Sequence, residues 1–171
     1  LSGMLKHIVA PKYHMKEAVK DINFTVEKGE SVAYIGSNGA GKSTTIKMLT
    51  GILKPTSGNI CINGLDPYKH RIQSTKNIGV VFGQRTQLWW DIPIRESFSM
   101  LKEIYEIPNS VYDANIKYFG EILGVSEFMG YPARKLSLGQ RMRADIVASL
   151  IHNPPVIYLD EPTIGLDVAV K

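Results

Sequence analysis

The stretch GSNGAGKST, residues 36–44, fits the pattern G-x-x-x-x-G-K-[ST] and follows the apolar run SVAYI at residues 31–35. This run predicts a buried strand, and a helix is predicted to follow from Lys42 to about Leu49. A glycine-rich turn between a strand and a helix is the setting in which this pattern wraps phosphate groups. The glycine order is G-x-x-G-x-G, which disfavours a dinucleotide-binding loop. The stretch therefore predicts a nucleotide-binding loop in an α/β fold.

The residues of this loop have distinct chemical tasks. Gly36, Gly39 and Gly41 leave room for the backbone to present its N–H groups to phosphates. Lys42 is predicted to reach the β- and γ-phosphates of ATP, and the Ser43 hydroxyl to bind Mg²⁺. The predicted nucleotide-binding residues of the loop are Gly36, Ser37, Asn38, Gly39, Ala40, Gly41, Lys42, Ser43 and Thr44.

A pair of acids follows a second apolar run. VIYLD, residues 156–160, predicts a buried central strand of a parallel sheet that ends in Asp160, where a carboxylate can hold Mg²⁺. Glu161 follows directly, and a carboxylate at this point can orient or polarise an attacking water. Two solvated acids at a strand end are the alternative interpretation. The apolar strand and the phosphate loop favour the catalytic one.

Composition and charge are those of one globular domain. The 171 residues are 44% hydrophobic and 21% charged, and the formal net charge is +4 with a pI near 9.1. A mildly basic surface suits anionic ligands, while the lack of Lys/Arg blocks in the sequence argues against a nucleic-acid-binding arm. Cys61 is the single cysteine, and no apolar run is long enough to span a membrane. A reducing, cytoplasmic location fits these features.

The remaining pattern predicts a sheet layer interrupted by a helical insertion. Short strands are predicted at residues 22–26, 59–62 and 78–82. Helical spacing occurs at residues 96–105, 111–123 and 140–152. A turn is predicted at residues 27–30, and Gly51 is predicted to stop the first helix.

A second glycine-containing helix start lies in RKLSLGQRMRADIVASL, residues 134–150. Ser137 can cap this helix, and apolar residues from Met142 to Leu150 follow at helical spacing. The free N–H groups and the dipole of a helix start attract anions. The sequence therefore predicts two phosphate-binding elements in one small chain.

In order and spacing, these motifs resemble the nucleotide-binding domain of ATP-binding-cassette (ABC) transporters. Beside the phosphate loop, the matching elements are Gln84 after a strand, LSLGQ at residues 136–140, VIYLDE at residues 156–161, and Gly165-Leu166-Asp167. Leu138 stands where the family usually has glycine, whereas Ser137, Gly139 and Gln140 match it.

The resemblance implies a P-loop NTPase fold with a RecA-like core sheet, an N-terminal antiparallel β part and an inserted helical subdomain. It implies one cassette domain over residues 1–171 that lacks its C-terminal part. Residues 1–84 and 154–171 would form the nucleotide-binding core, and residues 85–153 the helical signature subdomain.

The resemblance also assigns roles to individual residues. In this family two cassettes pack head to tail, so Ser137, Leu138, Gly139 and Gln140 would contact the ATP held by a second copy. Gln84 would meet Mg²⁺ and the γ-phosphate, and Asp167 would belong to the loop that links the two ATP sites. Tyr13 would stack on adenine, although a plain strand aromatic is the alternative for this residue. The implied catalytic residues are Glu161, Lys42 and Gln84, and the implied Mg²⁺ ligands are Ser43, Gln84 and Asp160.

The family resemblance implies an ATP-hydrolysing subunit that powers transport from the cytoplasmic face of the cell membrane. The run VVFGQRTQLWWDIPIRESF is similar to drug-resistance exporters of the ABC-2 type, in which the integral membrane permease is a separate chain. Trp89 and Trp90 lie where the family contacts that permease, although packing inside the helical subdomain is the alternative.

Two other functions stay open at this point. A soluble ABC ATPase could act on ribosomes or nucleic acid, although the segment between Gln84 and Leu136 is too short for a long coiled-coil insertion. A regulatory cassette that only binds nucleotide is disfavoured, because Lys42 and Glu161 are both present.

Overall fold

The computed structural model describes residues 17–83 and 85–162. Three predicted site residues, Tyr13, Gln84 and Asp167, lie outside the described residues. The chain divides into two compact units, Leu1–Thr45 and Ile46–Lys171. The division into a nucleotide-binding core and a helical subdomain stays a prediction.

The first unit contains the predicted turn but not the predicted strands. Glu30 donates a backbone hydrogen bond to the carbonyl oxygen of Glu27 (3.1 Å), and Gly29 takes a φ of 90°. Residues 22–26 and 31–35 form no strand, and Ile35 of the predicted buried run is 87% exposed. A strand exists only where its backbone groups pair with a neighbour, and neither segment pairs within the described residues. The strand prediction for both segments is therefore wrong.

Helix α1, Lys42–Leu49, follows the phosphate loop as predicted. Gly51 ends it at a φ of 72°, and a Cβ atom here would lie 2.3 Å from the carbonyl oxygen of Pro67. The predicted strand at residues 59–62 is reduced to a single bridge between Ile62 and Leu65. A short helix, α2 (Arg71–Lys76), comes next.

The two apolar runs predicted as strands pair with each other. Strand β1 (Ile78–Phe82) and strand β2 (Val156–Asp160) run parallel, in a register that sets Ile78 opposite Val156 and Phe82 opposite Asp160. Burial alternates along β2, where Ile157 is 48% exposed, rather than extending along the whole run. Within the described residues β2 pairs only with β1, so its prediction as a buried central strand is not matched there.

Three helices lie between the strands, as predicted, but each begins earlier than the apolar periodicity indicates. They are α3 (Ile94–Ile104), α4 (Asn109–Ile122) and α5 (Leu138–Leu150). The residues preceding them are Pro93, Pro108 and Ser137, which start helices because of their backbone geometry or capping ability rather than their hydrophobicity. Two short 3₁₀ turns, Ser126–Phe128 and Ala133–Lys135, connect α4 to α5.

One hydrophobic core holds these helices together, and its residues all come from the helical part of the chain. Phe98 and Ile94 on α3 and Val147 on α5 are fully buried, and Val125 joins them from the connection after α4. Burying a side chain of this kind contributes about 1.5–3 kcal/mol. The full set is Leu88, Ile94, Phe98, Leu101, Ile107, Val125, Phe128, Ala133, Leu136, Ala144, Val147, Ala148 and Ile151.

Helix α5 approaches strand β1 closely enough that the backbones meet. A Cβ atom at Gly79 would lie 2.4 Å from the carbonyl oxygen of Ser149, so only glycine fits there. His152 strengthens the contact, because its Nε2 lies 3.1 Å from the carbonyl oxygen of Ile78 and its ring stacks on Tyr105 at 4.0 Å. Burial lowers the pKa of His152, partly offset by its hydrogen bond to Ile78. His152 therefore has a structural role.

Asp145 is a buried acid on the core-facing side of α5, with only 6% of its surface exposed. Its Oδ1 accepts hydrogen bonds from the Thr86 hydroxyl and the Gln87 backbone N–H, each 3.0 Å long. Burial raises the pKa of Asp145 to about 6, although the hydrogen bonds from Gln87 and Thr86 and the charge of Arg141 oppose the rise.

We expect Asp145→Asn to make the protein more stable at neutral pH. The folded-state pKa lies above the ordinary value of 3.8, so the stability that Asp145 contributes is present below pH 3.8 and lost as pH rises through about 6. The ionised carboxylate then costs about 3 kcal/mol at pH 7. Urea unfolding should show the Asp145→Asn variant to be more stable than wild type at about pH 7.5 and nearly equal to it at about pH 4. If the variant and wild type differed in stability by the same amount at both pH values, a cost of burying the ionised carboxylate would be contradicted.

Candidate functional site

Lys42 lies across its own loop. Its Nζ donates hydrogen bonds to the carbonyl oxygens of Gly36 (2.6 Å) and Ser37 (2.9 Å), and the Ala40 N–H donates to the Ser37 carbonyl oxygen (3.2 Å). These bonds curl the loop around an ammonium group at the start of helix α1. A helix start attracts anions through its N–H groups and dipole, and the ammonium adds a full positive charge. The donors of this loop fit a phosphate chain.

Two glycines of the loop adopt a conformation that other residues resist. Gly39 and Gly41 have φ values of 84° and 91°. A Cβ atom at Gly41 would lie 2.4 Å from the carbonyl oxygen of Ala18, whereas one at Gly39 would meet nothing within 4 Å. Gly41 is thus required by both conformation and close packing, and Gly39 by conformation with open space beside it. That space is what close approach of a phosphate needs.

The acidic pair at the end of β2 is held against the end of β1. The Gly83 N–H donates to the carbonyl oxygen of Asp160 at 2.8 Å. A Cβ atom at Gly83 would lie 2.5 Å from the carbonyl oxygen of Glu161. Gly83 is a residue that the sequence reasoning missed. A glycine directly after an apolar strand is a signal of close backbone approach and could have indicated it.

Glu161 has an unusual backbone conformation for a predicted catalytic residue. Its φ is 54°, in the left-handed region that favours glycine, and its side chain is exposed. A non-glycine residue in this region costs about 1–3 kcal/mol and persists only where the surrounding structure imposes it. Such strain is frequent at functional sites, and here the hydrogen bond from Gly83 to the preceding residue holds the turn.

The candidate metal ligands of this chain are oxygen donors. They suit Mg²⁺ that is shared with substrate phosphates better than a metal held by protein side chains alone. Within the described residues, no group of three or more His, Cys, Asp or Glu side chains could hold a metal. Mg²⁺ prefers oxygen ligands and usually takes one or two carboxylates together with substrate phosphates. Ser43 and Asp160 each carry an oxygen donor of the kind that Mg²⁺ takes, and their role as its ligands stays a prediction.

The start of helix α5 forms the capping box that the sequence predicted in part. The Gln140 N–H donates to Ser137 Oγ (3.2 Å), and the Ser137 N–H donates to Gln140 Oε1 (2.9 Å). Capping by Ser137 is thereby confirmed. Ser137 and Leu138 are both exposed. The glycine-containing helix start is therefore rigid and faces outward.

The adjacent tryptophans have different environments. Trp89 packs against the helical core, and its backbone N–H donates to Ser97 Oγ at 3.2 Å. Trp90 is 49% exposed, and the Arg141 guanidinium lies 4.8 Å from the centre of its ring. Arg141 Nη2 in turn donates to the carbonyl oxygen of Leu136 at 3.3 Å, beside the helix start. Trp89 is thus packed against the helical core, whereas Trp90 stays half-exposed beside Arg141.

A sequence profile described as "ABC transporter" matches residues 19–164. The chain belongs to the ABC transporter family. Among ABC relatives, it is 34% identical over 157 residues to the ABC transporter ATP-binding protein NatA of Bacillus subtilis, covering 92% of this chain and 64% of NatA. It is also 34% identical over 155 residues to the linearmycin resistance ATP-binding protein LnrL of Bacillus subtilis, covering 91% of this chain and 50% of LnrL. The chain thus spans less than two thirds of the length of these ABC relatives.

Solved ABC structures have the same fold. An ATP-binding subunit of an ABC transporter superposes with a TM-score of 0.85 at 27% identity, covering 92% of this chain and 65% of that one. An ATP-binding cassette in a dimeric post-hydrolysis state, bound to ADP and Pi, gives 0.78 at 28% identity, covering 92% and 73%. The predicted P-loop NTPase fold of an ABC cassette is therefore confirmed. No helix in the described part of this ABC chain is long and apolar enough to cross a membrane.

We expect Ser137→Ala to destabilise the protein by about 1 kcal/mol, because the N–H of Gln140 loses its acceptor. Ser137→Thr keeps an oxygen at the cap and serves as the matched control. Urea unfolding followed by circular dichroism measures both variants. An alanine variant as stable as the threonine variant would show that the capping box contributes little.

Proposed function

We propose that this chain is the ATP-binding and ATP-hydrolysing part of a transporter and works as a pair of cassettes on a separate membrane permease. The observation that carries the proposal is the phosphate loop, which curls around the Lys42 ammonium at the start of a helix. Membership of the ABC transporter family supports the same function.

The phosphate loop would bind the nucleotide. Lys42 exchanges its bonds to Gly36 and Ser37 for oxygens of the β- and γ-phosphates, which offer it full negative charge. Ser43 and Asp160, with Gln84, are proposed to hold Mg²⁺. The ion, when bound, neutralises charge on the phosphates. Tyr13 is proposed to stack on the adenine ring.

Glu161 would serve the chemical step. A water oxygen attacks the γ-phosphorus, the bond to the oxygen shared with the β-phosphate breaks, and Glu161 accepts or orients the proton that the water gives up. The products are ADP and inorganic phosphate. The left-handed backbone at Glu161 supports this role, because strained conformations of this kind are frequent at functional sites.

The second phosphate-binding element would serve a second cassette. Ser137, Leu138, Gly139 and Gln140 are proposed to contact the ATP held by the partner copy, and Asp167 to link the two sites. The exposure of Ser137 and Leu138 on a capped helix start supports an intermolecular role. The dimeric state of the related cassette bound to ADP and Pi supports a pair of cassettes.

The membrane permease would contact the segment around Trp90 and hold the protein at the cytoplasmic face of the membrane. Trp90 is half-exposed, and tryptophan is enriched at interface hot spots. Export is the proposed direction, supported by the similarity to the linearmycin resistance protein LnrL. The helical core, which draws on residues 88–151, supports residues 85–153 as the signature subdomain.

Two variants separate nucleotide binding from hydrolysis. Lys42→Ala should abolish binding of a fluorescent ATP analogue, because the charge on the β- and γ-phosphates is lost. Glu161→Gln should keep the wild-type affinity and stabilise an ATP-bound dimer, while hydrolysis falls about 100-fold or more. Wild-type affinity in the Lys42 variant would overturn the phosphate-loop role, and wild-type turnover in the Glu161 variant would overturn the role of Glu161.

We expect Trp90→Ala to weaken binding of the proposed membrane permease about thirtyfold, which is about 2 kcal/mol. ATP affinity should not change, because Trp90 is half-exposed and lies outside the phosphate loop. Co-purification and ATP-analogue binding measure the two effects. Trp89→Ala is the matched comparison and should instead lower the thermal midpoint, since Trp89 packs against the core. Unchanged co-purification of the Trp90 variant would place the interface elsewhere.

A further inference from the structure

The segment that leaves strand β1 is tied to the signature helix α5 through one carboxylate oxygen. Asp145 Oδ1 accepts from both the Thr86 hydroxyl and the Gln87 N–H, at 3.0 Å each. The Gln87 side chain adds a third bond, from its Nε2 to the carbonyl oxygen of Asp145 at 3.3 Å. The partners are separated from Asp145 by 58 or 59 positions in sequence, so these are tertiary contacts.

The bonds continue into the rest of the segment. The Thr86 hydroxyl, which donates to Asp145, also accepts from the Leu88 N–H at 3.1 Å. The next residue, Trp89, donates its backbone N–H to the Ser97 hydroxyl of helix α3. Residues 86–89 are therefore held on one side by α5 and on the other by α3. Thr86 follows Gln84 by two positions in the sequence.

We propose that Asp145 is a positioning residue that fixes the segment after Gln84 to the signature helix, so that this segment and the signature move as one body. The proposal rests on the proposed ATPase function and adds a residue to it that the motifs do not contain. Asp145 touches neither the phosphate loop nor the signature residues in the contacts described above. It acts through the segment that it holds.

The cost of burying this acid supports a specific role. A buried carboxylate is expensive, and an apolar residue of similar shape at a core position is usually neutral or stabilising. An acceptor at residue 145 is needed because the Thr86 hydroxyl and the Gln87 backbone N–H, both on partly buried residues, would otherwise lose their hydrogen-bond partner. Both donors bind the single oxygen Oδ1 of Asp145, so the neutral amide oxygen of an asparagine can replace this carboxylate oxygen as the acceptor. The geometry thus requires an acceptor but not a charge.

This requirement leads to opposite expectations for two variants of similar size. Asp145→Asn keeps an oxygen for both hydrogen bonds and should retain kcat within about twofold. Asp145→Leu removes the acceptor, and kcat for ATP should fall about tenfold or more, because displacements of about 1 Å in a positioned group cost up to ~100-fold. The dissociation constant for an ATP analogue should stay within about twofold in both variants.

The chain offers a spectroscopic readout and a matched control. Trp89 and Trp90 are its two tryptophans; Trp89 is the last residue of the anchored segment and Trp90 follows it, so their emission reports the environment of the segment. Emission should shift to the red in the Asp145→Leu variant and stay unchanged in the Asp145→Asn variant. Ser149→Ala is the control, because Ser149 is buried on the same helix but its hydroxyl donates to the Ile146 carbonyl oxygen of its own helix. Its kcat and emission should equal those of wild type.

The experiment measures kcat, ATP-analogue affinity and tryptophan emission in the whole protein, with Thr86→Val and Thr86→Ser as a second pair. If Asp145→Leu does not fold, Thr86→Val removes the same bond from the other side and should lower kcat while Thr86→Ser retains it. If the wild-type protein hydrolyses ATP and Asp145→Leu or Thr86→Val has the same kcat, the positioning role is overturned. An equal loss in Asp145→Asn and Asp145→Leu also overturns it, since the charge would then be what matters. Lack of hydrolysis by the wild-type protein would instead overturn the proposed function.

Discussion

The close contact of helix α5 with strand β1 at Gly79 is the constraint on which the second unit depends. A Cβ atom at that position would lie 2.4 Å from the carbonyl oxygen of Ser149, so backbone packs directly on backbone. The chain leaving α5 returns as β2, which pairs with β1 in parallel. Because this contact involves no flexible side chain, the height and position of the helix over the sheet are narrowly set.

Helix α5 contacts or leads to several proposed parts of the site that lie far apart in the sequence. Its start presents the capped signature at Ser137, and its middle holds the segment after β1 through Asp145. Its end leads to β2 and the strained turn at Glu161, which Gly83 supports from β1. A shift of α5 would therefore move the signature, the segment near Gln84 and the acidic turn together. This arrangement gives a physical basis for coupling among them, since packed elements with shared contacts respond as units.

The structure of the phosphate loop is mostly local, although Gly41 also packs closely on the backbone of Ala18. The bonds of Lys42 to Gly36 and Ser37 span five or six positions, and the left-handed turns at Gly39 and Gly41 depend on glycine itself. Local hydrogen bonds and backbone preferences specify such a turn, so the motif alone predicted the turn and the helix that follows it, whereas nucleotide binding stays a prediction. The strand predictions for the segments before the loop were wrong because strands depend on contacts that are not local. A strand needs a partner, and apolar alternation at residues 22–26 does not supply one.

The order and spacing of the motifs determined the family. The sequence by itself also determined the turn of the phosphate loop, the positions of β1 and β2, the presence of the three helices and the cap at Ser137, because each shows in short-range periodicity, glycine conformation or side-chain capping. That β1 and β2 pair with each other was decided only by the tertiary structure. Only the tertiary structure decided that Trp89 is packed while Trp90 is half-exposed, since two adjacent tryptophans are equivalent in a local pattern. It also decided the roles of Gly83, Gly79 and Asp145. Their importance comes from atoms that are distant in sequence, such as the carbonyl oxygen of Ser149 beside Gly79 and the donors of Thr86 and Gln87 at Asp145. Contacts between distant segments depend on how helices and strands pack, and no local pattern encodes that packing residue by residue.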